Sequence, residues 1–115
     1  MVTPEQIAIK EAAVVIEQAM RAVGGSCPIQ IIDHGRAIRI GTFYENLTVR
    51  LQDGLWRVSE YTPYLQRQMA YPSLEACAHD IAMCEPGVLF HEITATEREI
   101  DAAVEQAEAA LHPTV

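Results

Sequence analysis

The chain has 115 residues, 50% of them apolar and 21% charged, with a formal net charge of −8. That length suits one domain, able to bury about two thirds of its unfolded surface without a covalent staple. The composition excludes global disorder, and no apolar run reaches the roughly 18 residues of a membrane span.

The opening residues show no basic leader, apolar core and cleavage site in order, so the expectation is a cytoplasmic protein without a secretory signal. Three cysteines, Cys27, Cys77 and Cys84, cannot close entirely into internal bridges and fit a reducing compartment. Charge is unevenly placed. Residues 1–35 hold four acids and two bases, residues 36–67 three acids and five bases, and residues 68–115 nine acids and one base. The middle of the chain is mildly basic and its end strongly acidic, which speaks against non-specific nucleic-acid binding by the whole protein.

Thr3-Pro4-Glu5-Gln6 is a capping box with proline at the first helical position, and Val2 and Ile7 have the spacing of a hydrophobic staple. Ile9, Ala13, Ile16, Met20 and Val23 recur at intervals of three and four, and Gly24-Gly25 supplies a stop, so a helix is expected from about Pro4 to Val23. From Pro28 the period changes to two. Ile29 to Ile32 reads as a strand, Asp33-His34-Gly35-Arg36 as a tight turn, and Ala37 to Phe43 as the returning strand, with Ile38 and Ile40 inward and Arg39 outward.

Leu47 to Tyr61 carries the clearest signal. Leu47, Val49 and Leu51 alternate with polar residues, Asp53-Gly54 tolerates positive φ, and Trp56 and Val58 resume the alternation. A two-residue turn places Leu51 opposite Trp56, Val49 opposite Val58 and Leu47 opposite Glu60 on the core side, with Thr48 opposite Ser59 and Arg50 opposite Arg57 on the other. Tyr61 to Pro72 combines two prolines with an alternation of Leu65, Arg67, Met69 and Tyr71, which fits a fifth, edge strand. Rich in Tyr and Met, this segment serves either as core or as an adhesive surface.

Ser73 then caps a helix with Leu74, Cys77, Ile81 and Cys84 on its buried stripe, ended by Glu85-Pro86-Gly87. Val88 to Ile93 is a short apolar run. Thr94 or Thr96, each with an acid three residues on, caps a last helix whose stripe is Ile100, Val104, Ala107 and Leu111. Its many alanines favour helix but bury little, suiting close packing or a peripheral position. The expected fold is therefore a single α+β domain over 1–115: one helix, a four- to five-stranded antiparallel meander, and two helices, all packed on one sheet face.

Chemical motifs are sparse. Cys77, His79, Cys84 and His91 are close in sequence, but helical spacing sends His79 to a different face from the cysteines, so no metal is expected. His91-Glu92 lacks the second histidine of a zinc-protease helix, Ala95 standing in its place. Asn46-Leu47-Thr48 matches a glycosylation acceptor but opens a strand. There is no nucleophile elbow or phosphate-binding glycine motif, so no cofactor and no catalytic residue are assigned; an enzyme using His34 or Cys27 would need a pocket supplying a second polar group.

The constellation above background is the outer sheet face with Arg39, Arg50 and Arg57, where two opposed guanidinium groups favour an anion. The expected function is a small protein-binding module of the adaptor, chaperone or inhibitor type, steered by these arginines, anchored by Tyr64, Leu65, Met69 and Tyr71 beside Arg67, and able to homodimerise. The alternative is a nucleic-acid-binding domain contacting backbone phosphate through Arg39, Arg50 and Arg57, weakened by the lack of outward aromatic residues for stacking. No membrane partner is expected.

Overall fold

Residues 2–23, 28–42, 45–64, 66–83 and 97–112 are described by the computed structural model. Helix α1 (Pro4–Ala22) leads into strands β1 (Ile29–Ile32), β2 (Ala37–Gly41), β3 (Asn46–Gln52), β4 (Leu55–Tyr61) and β5 (Gln66–Tyr71), followed by helices α2 (Leu74–Met83) and α3 (Glu97–Leu111). The strands form one antiparallel sheet in chain order, each hydrogen-bonded to the next. This is the expected α+β meander, and the fifth strand forms its edge.

The β3–β4 hairpin sets the register. Asp53 and Gly54 both take positive φ, 54° and 75°, the handedness that a two-residue turn needs to match the twist of its strands. The pairs that follow are the expected ones: Leu51 with Trp56, Arg50 with Arg57, Val49 with Val58, Thr48 with Ser59 and Leu47 with Glu60. Extended across the sheet, this register lines up one residue from every strand. Ile31, Ile38, Val49, Val58 and Met69 form one inward row, and Ile29, Ile40, Leu47, Glu60 and Arg67 form the next.

These rows meet the helices. Helix α1 packs on β1, β2 and β3, α2 packs on β5 and α1, and α3 packs on α1 and α2. Because α1 is covered by both sheet and helices, its buried surface is wider than the single stripe expected from periodicity. Ala12, Val15 and Ala19 are buried along with Ile9, Ile16, Met20 and Val23, whereas Ala13 is only half-buried. The stripe of α3 is as expected, with Ile100, Val104 and Ala107 buried and Leu111 packed partly against the core. Ser73 caps α2, its Oγ accepting from the N–H of Ala76 at 3.2 Å. The glycine stop at Gly24-Gly25, the connection expected to hold Val88 to Ile93, and the Thr94 and Thr96 caps lie outside the described residues.

The capping box does more than start a helix. Thr3 Oγ1 accepts from the Gln6 N–H at 3.1 Å, and Gln6 Oε1 accepts from the Thr3 N–H at 2.8 Å. The same Gln6 donates through Nε2 to the carbonyl of His34 at 2.7 Å, tying α1 to the β1–β2 turn. Loss of a cap costs about 1 kcal/mol, so Thr3→Ala should lower stability by about that amount in urea unfolding. Gln6→Ala also removes the tertiary bond and should cost about 1–2 kcal/mol; a loss smaller than that of Thr3→Ala would show that the link to His34 adds no stability.

Candidate functional site: the uncovered sheet face

Alternation divides the sheet into a helix-covered face and an opposite face that is uncovered among the described residues. One outward row runs across all five strands as Gln30, Arg39, Thr48, Ser59 and Gln68, every member polar. The adjacent row is Ile32, Ala37, Arg50, Arg57 and Ala70. Arg39, Arg50 and Arg57 therefore share this face, as the alternation predicts, and Arg50 directly opposes Arg57.

Their charges are not equally available. Arg50 Nη1 pairs with Asp33 Oδ2 at 2.6 Å, reaching from β3 to the β1–β2 turn, and Ala37, the register partner of Arg50, is fully buried. The hydrogen bond and charge of Arg50 hold the Asp33 carboxyl below its ordinary value. Arg39 Nη2 donates to Gln30 Oε1 at 2.5 Å. Arg57 is exposed and makes no ion pair among the described residues. Asp33, expected as a turn residue rather than as an acid-base partner of His34, takes a φ of 54° in that turn and neutralises one of the two opposed cations.

The tyrosine- and methionine-rich segment is split. Tyr64 lies between β4 and β5 and is 96% exposed, whereas Leu65 lies outside the described residues. Arg67, Met69 and Tyr71 pair with Glu60, Val58 and Trp56 and so share the helix-covered face. Met69 and Tyr71 pack partly against the core, with the Tyr71 hydroxyl 3.4 Å from Met69 Sδ. With Leu47, Arg67 and Asp80 they line a groove against α2 of about 390 Å³. The arginine triad and the expected anchors Met69 and Tyr71 thus occupy opposite faces.

Glu60 was visible as a core-side residue in the hairpin register, but its partner was not. At 5% exposure it is the one charged residue in the core among the described residues, and Arg67 Nη2 reaches its Oε1 at 3.1 Å from the neighbouring strand. The Arg67, Met69, Tyr71 alternation was the signal that could have put Arg67 on that face. Breaking a pair with a buried carboxylate costs more than losing an exposed cation. Arg67→Ala should therefore destabilise by about 1 kcal/mol or more, whereas Arg57→Ala, which relieves a like-charge contact, should be neutral in the same denaturation assay.

Other reactive side chains are structurally occupied. Cys77 is buried on α2, and burial, with the Asp80 charge second, pushes its thiol up to about 12. His79 points away from it to pair Nδ1 with Asp101 Oδ1 of α3 at 2.8 Å. Cys27, Cys84 and His91 lie outside the described residues, and no group of three or more potential metal ligands occurs among those described. His34 is exposed in its turn, and the Asn46 amide donates to the Thr42 carbonyl at 3.1 Å. No helix among the described residues is long and apolar enough to cross a membrane. No family model, curated protein or solved structure matches the chain.

One titration follows from the helical layer. Burial, then a hydrogen bond and charge from Glu75, raise the Glu108 carboxyl above its ordinary 4.5. A raised acid binds its proton more tightly in the folded state, so its contribution to stability declines as pH rises from 4.5 through the folded value. Glu108→Gln should raise the unfolding midpoint at neutral pH and leave it unchanged below the ordinary carboxyl range; an equal gain at both would refute a protonation effect.

Proposed function

We propose that the chain is a small protein-binding module, of adaptor, chaperone or inhibitor type, that recognises its partner through the uncovered sheet face. The observation that carries this reading is the five-strand polar row, Gln30 to Gln68, beside the opposed Arg50 and Arg57. A surface of amides, hydroxyls and guanidinium groups running across five strands offers directional hydrogen bonds over a broad area, as a protein interface requires. Arg57 supplies an exposed cation with no ion pair among the described residues; Tyr61, outward on β4, corrects the expectation that this face lacks aromatic residues and, with the exposed Tyr64 that follows it, supplies aromatic area. Arg and Tyr are among the residue types that most often dominate such contacts.

Phosphate-backbone binding is less well supported. Asp33 neutralises Arg50, and the depression holding Arg36 and Arg50 is also lined by Glu5, Asp33 and Asp53. Such a mixed surface lacks the strongly positive field from which non-specific nucleic-acid affinity arises. The helical layer behind it is acidic, which opposes a polyanion further.

The test is affinity capture from the source lysate with and without nuclease, comparing wild type with Arg57→Glu and Tyr64→Ala. A protein retained after nuclease and lost from both variants is the expected result. Retention that disappears with nuclease and falls steeply with salt would replace this reading with the nucleic-acid one. A retained protein indifferent to both substitutions would exclude this face.

A further inference from the structure

We propose that the exposed face of α1 and the outer edge of β1 form an isologous interface with a second copy of this chain. The interface lies away from the uncovered sheet face and does not depend on the function proposed for it.

The starting observation is a set of large apolar residues left in water on one side of the molecule. Val2 is 67% exposed, Ile7 49%, Val14 41% and Ile31 46%. They are contiguous. All four line one groove of about 580 Å³, together with Leu111 of α3. Val2 and Ile7 have the spacing of a staple that would normally bury them against each other, yet both remain largely solvated. Contiguous apolar surface of this kind marks an association site more often than scattered exposed residues do.

The groove lies beside a sheet edge: among the described strands, β1 pairs with β2 alone. Proteins protect edge strands with prolines, charges or short length. At the β5 edge, Pro63 and Pro72 bracket the strand and Arg67 lies within it. At the β1 edge, Pro28 and Asp33 flank the strand, but Ile29–Ile32 itself contains neither proline nor charge. Ile31 belongs to both features, so the strand edge and the groove are continuous.

The pattern on α1 selects the occupant. Ile7, Lys10, Glu11 and Val14 line the groove together at helical spacings of three, one and three. This order is self-complementary about the midpoint between Lys10 and Glu11. Two copies of α1 packed antiparallel about that midpoint place Ile7 on Val14 of the second copy and Lys10 on Glu11 of the second copy, each contact occurring twice. A two-fold axis generates such reciprocal contacts, as an isologous dimer requires. Lys10 is exposed and makes no ion pair among the described residues. Glu11 shares one oxygen with His112 Nε2 at 2.9 Å, leaving its other oxygen for a second cation. The same axis would bring the two β1 edges together below the helices, joining two five-stranded sheets.

Charge reversal tests this directly by sedimentation equilibrium across about 1–100 µM protein, a range that resolves micromolar dissociation. Wild type should dimerise. Across the two-fold axis Lys10→Glu sets carboxylate against carboxylate and Glu11→Lys sets ammonium against ammonium, so each should weaken the dimer about tenfold or more, and the double reversal should restore it. Ile7→Glu, at an exposed position, should give a folded monomer, and Arg57→Glu should leave the dimer intact. A wild-type monomer throughout, a dimer insensitive to Lys10→Glu, or failure of the double reversal to restore association would overturn the proposal. So would a dimer lost through Arg57→Glu and kept by Ile7→Glu, which would place association on the uncovered sheet face.

Discussion

Two residues in the left-handed region, Asp53 and Gly54, carry the constraint on which the rest of the sheet depends. A side-chain period of two allows no intermediate register: a slip by one residue would send Val49 and Val58 to water and Arg50 and Arg57 to the core. The turn prevents that slip by matching the strand twist, and each neighbouring strand inherits the result. The aliphatic rows that receive α1 and the polar row left uncovered are two consequences of the same alignment.

The helices bury one face and leave the other to define what the molecule presents. Helix α1 lies between the sheet and α3, so the small Ala12 and Ala19 and the branched Val15 are buried where larger side chains would hold the layers apart. Helix α3 is tied to its neighbours by a histidine–carboxylate contact near each end, His79 with Asp101 and His112 with Glu11. Its alanine-rich sequence and position on top of the other helices agree. It contributes Ile100, Val104 and Ala107 to the core while keeping most of its acids in solvent.

Charged residues show how much tertiary placement alters their meaning. Arg50 and Arg57 are equivalent in the hairpin, both outward and directly opposed, but the turn at Asp33 quenches one and leaves the other. Arg67 reads as an edge-strand charge and becomes the counter-ion of a buried carboxylate. A low-dielectric position makes the second pairing consequential to stability, whereas the first mainly shapes the surface.

The sequence by itself determined the element order, the hairpin register, the capped starts of α1 and α2, the outward placement of Arg39, Arg50 and Arg57, and the burial of Cys77. Each follows from periodicity or turn chemistry acting within about one element or between adjacent ones. Only the tertiary structure decided the partners of Arg39, Arg50 and Arg67, the link from Gln6 to His34, the full buried width of α1 and the separation of Met69 and Tyr71 from the arginine face. Those contacts join residues through space, and a one-dimensional period reports which way a side chain points without reporting what waits there.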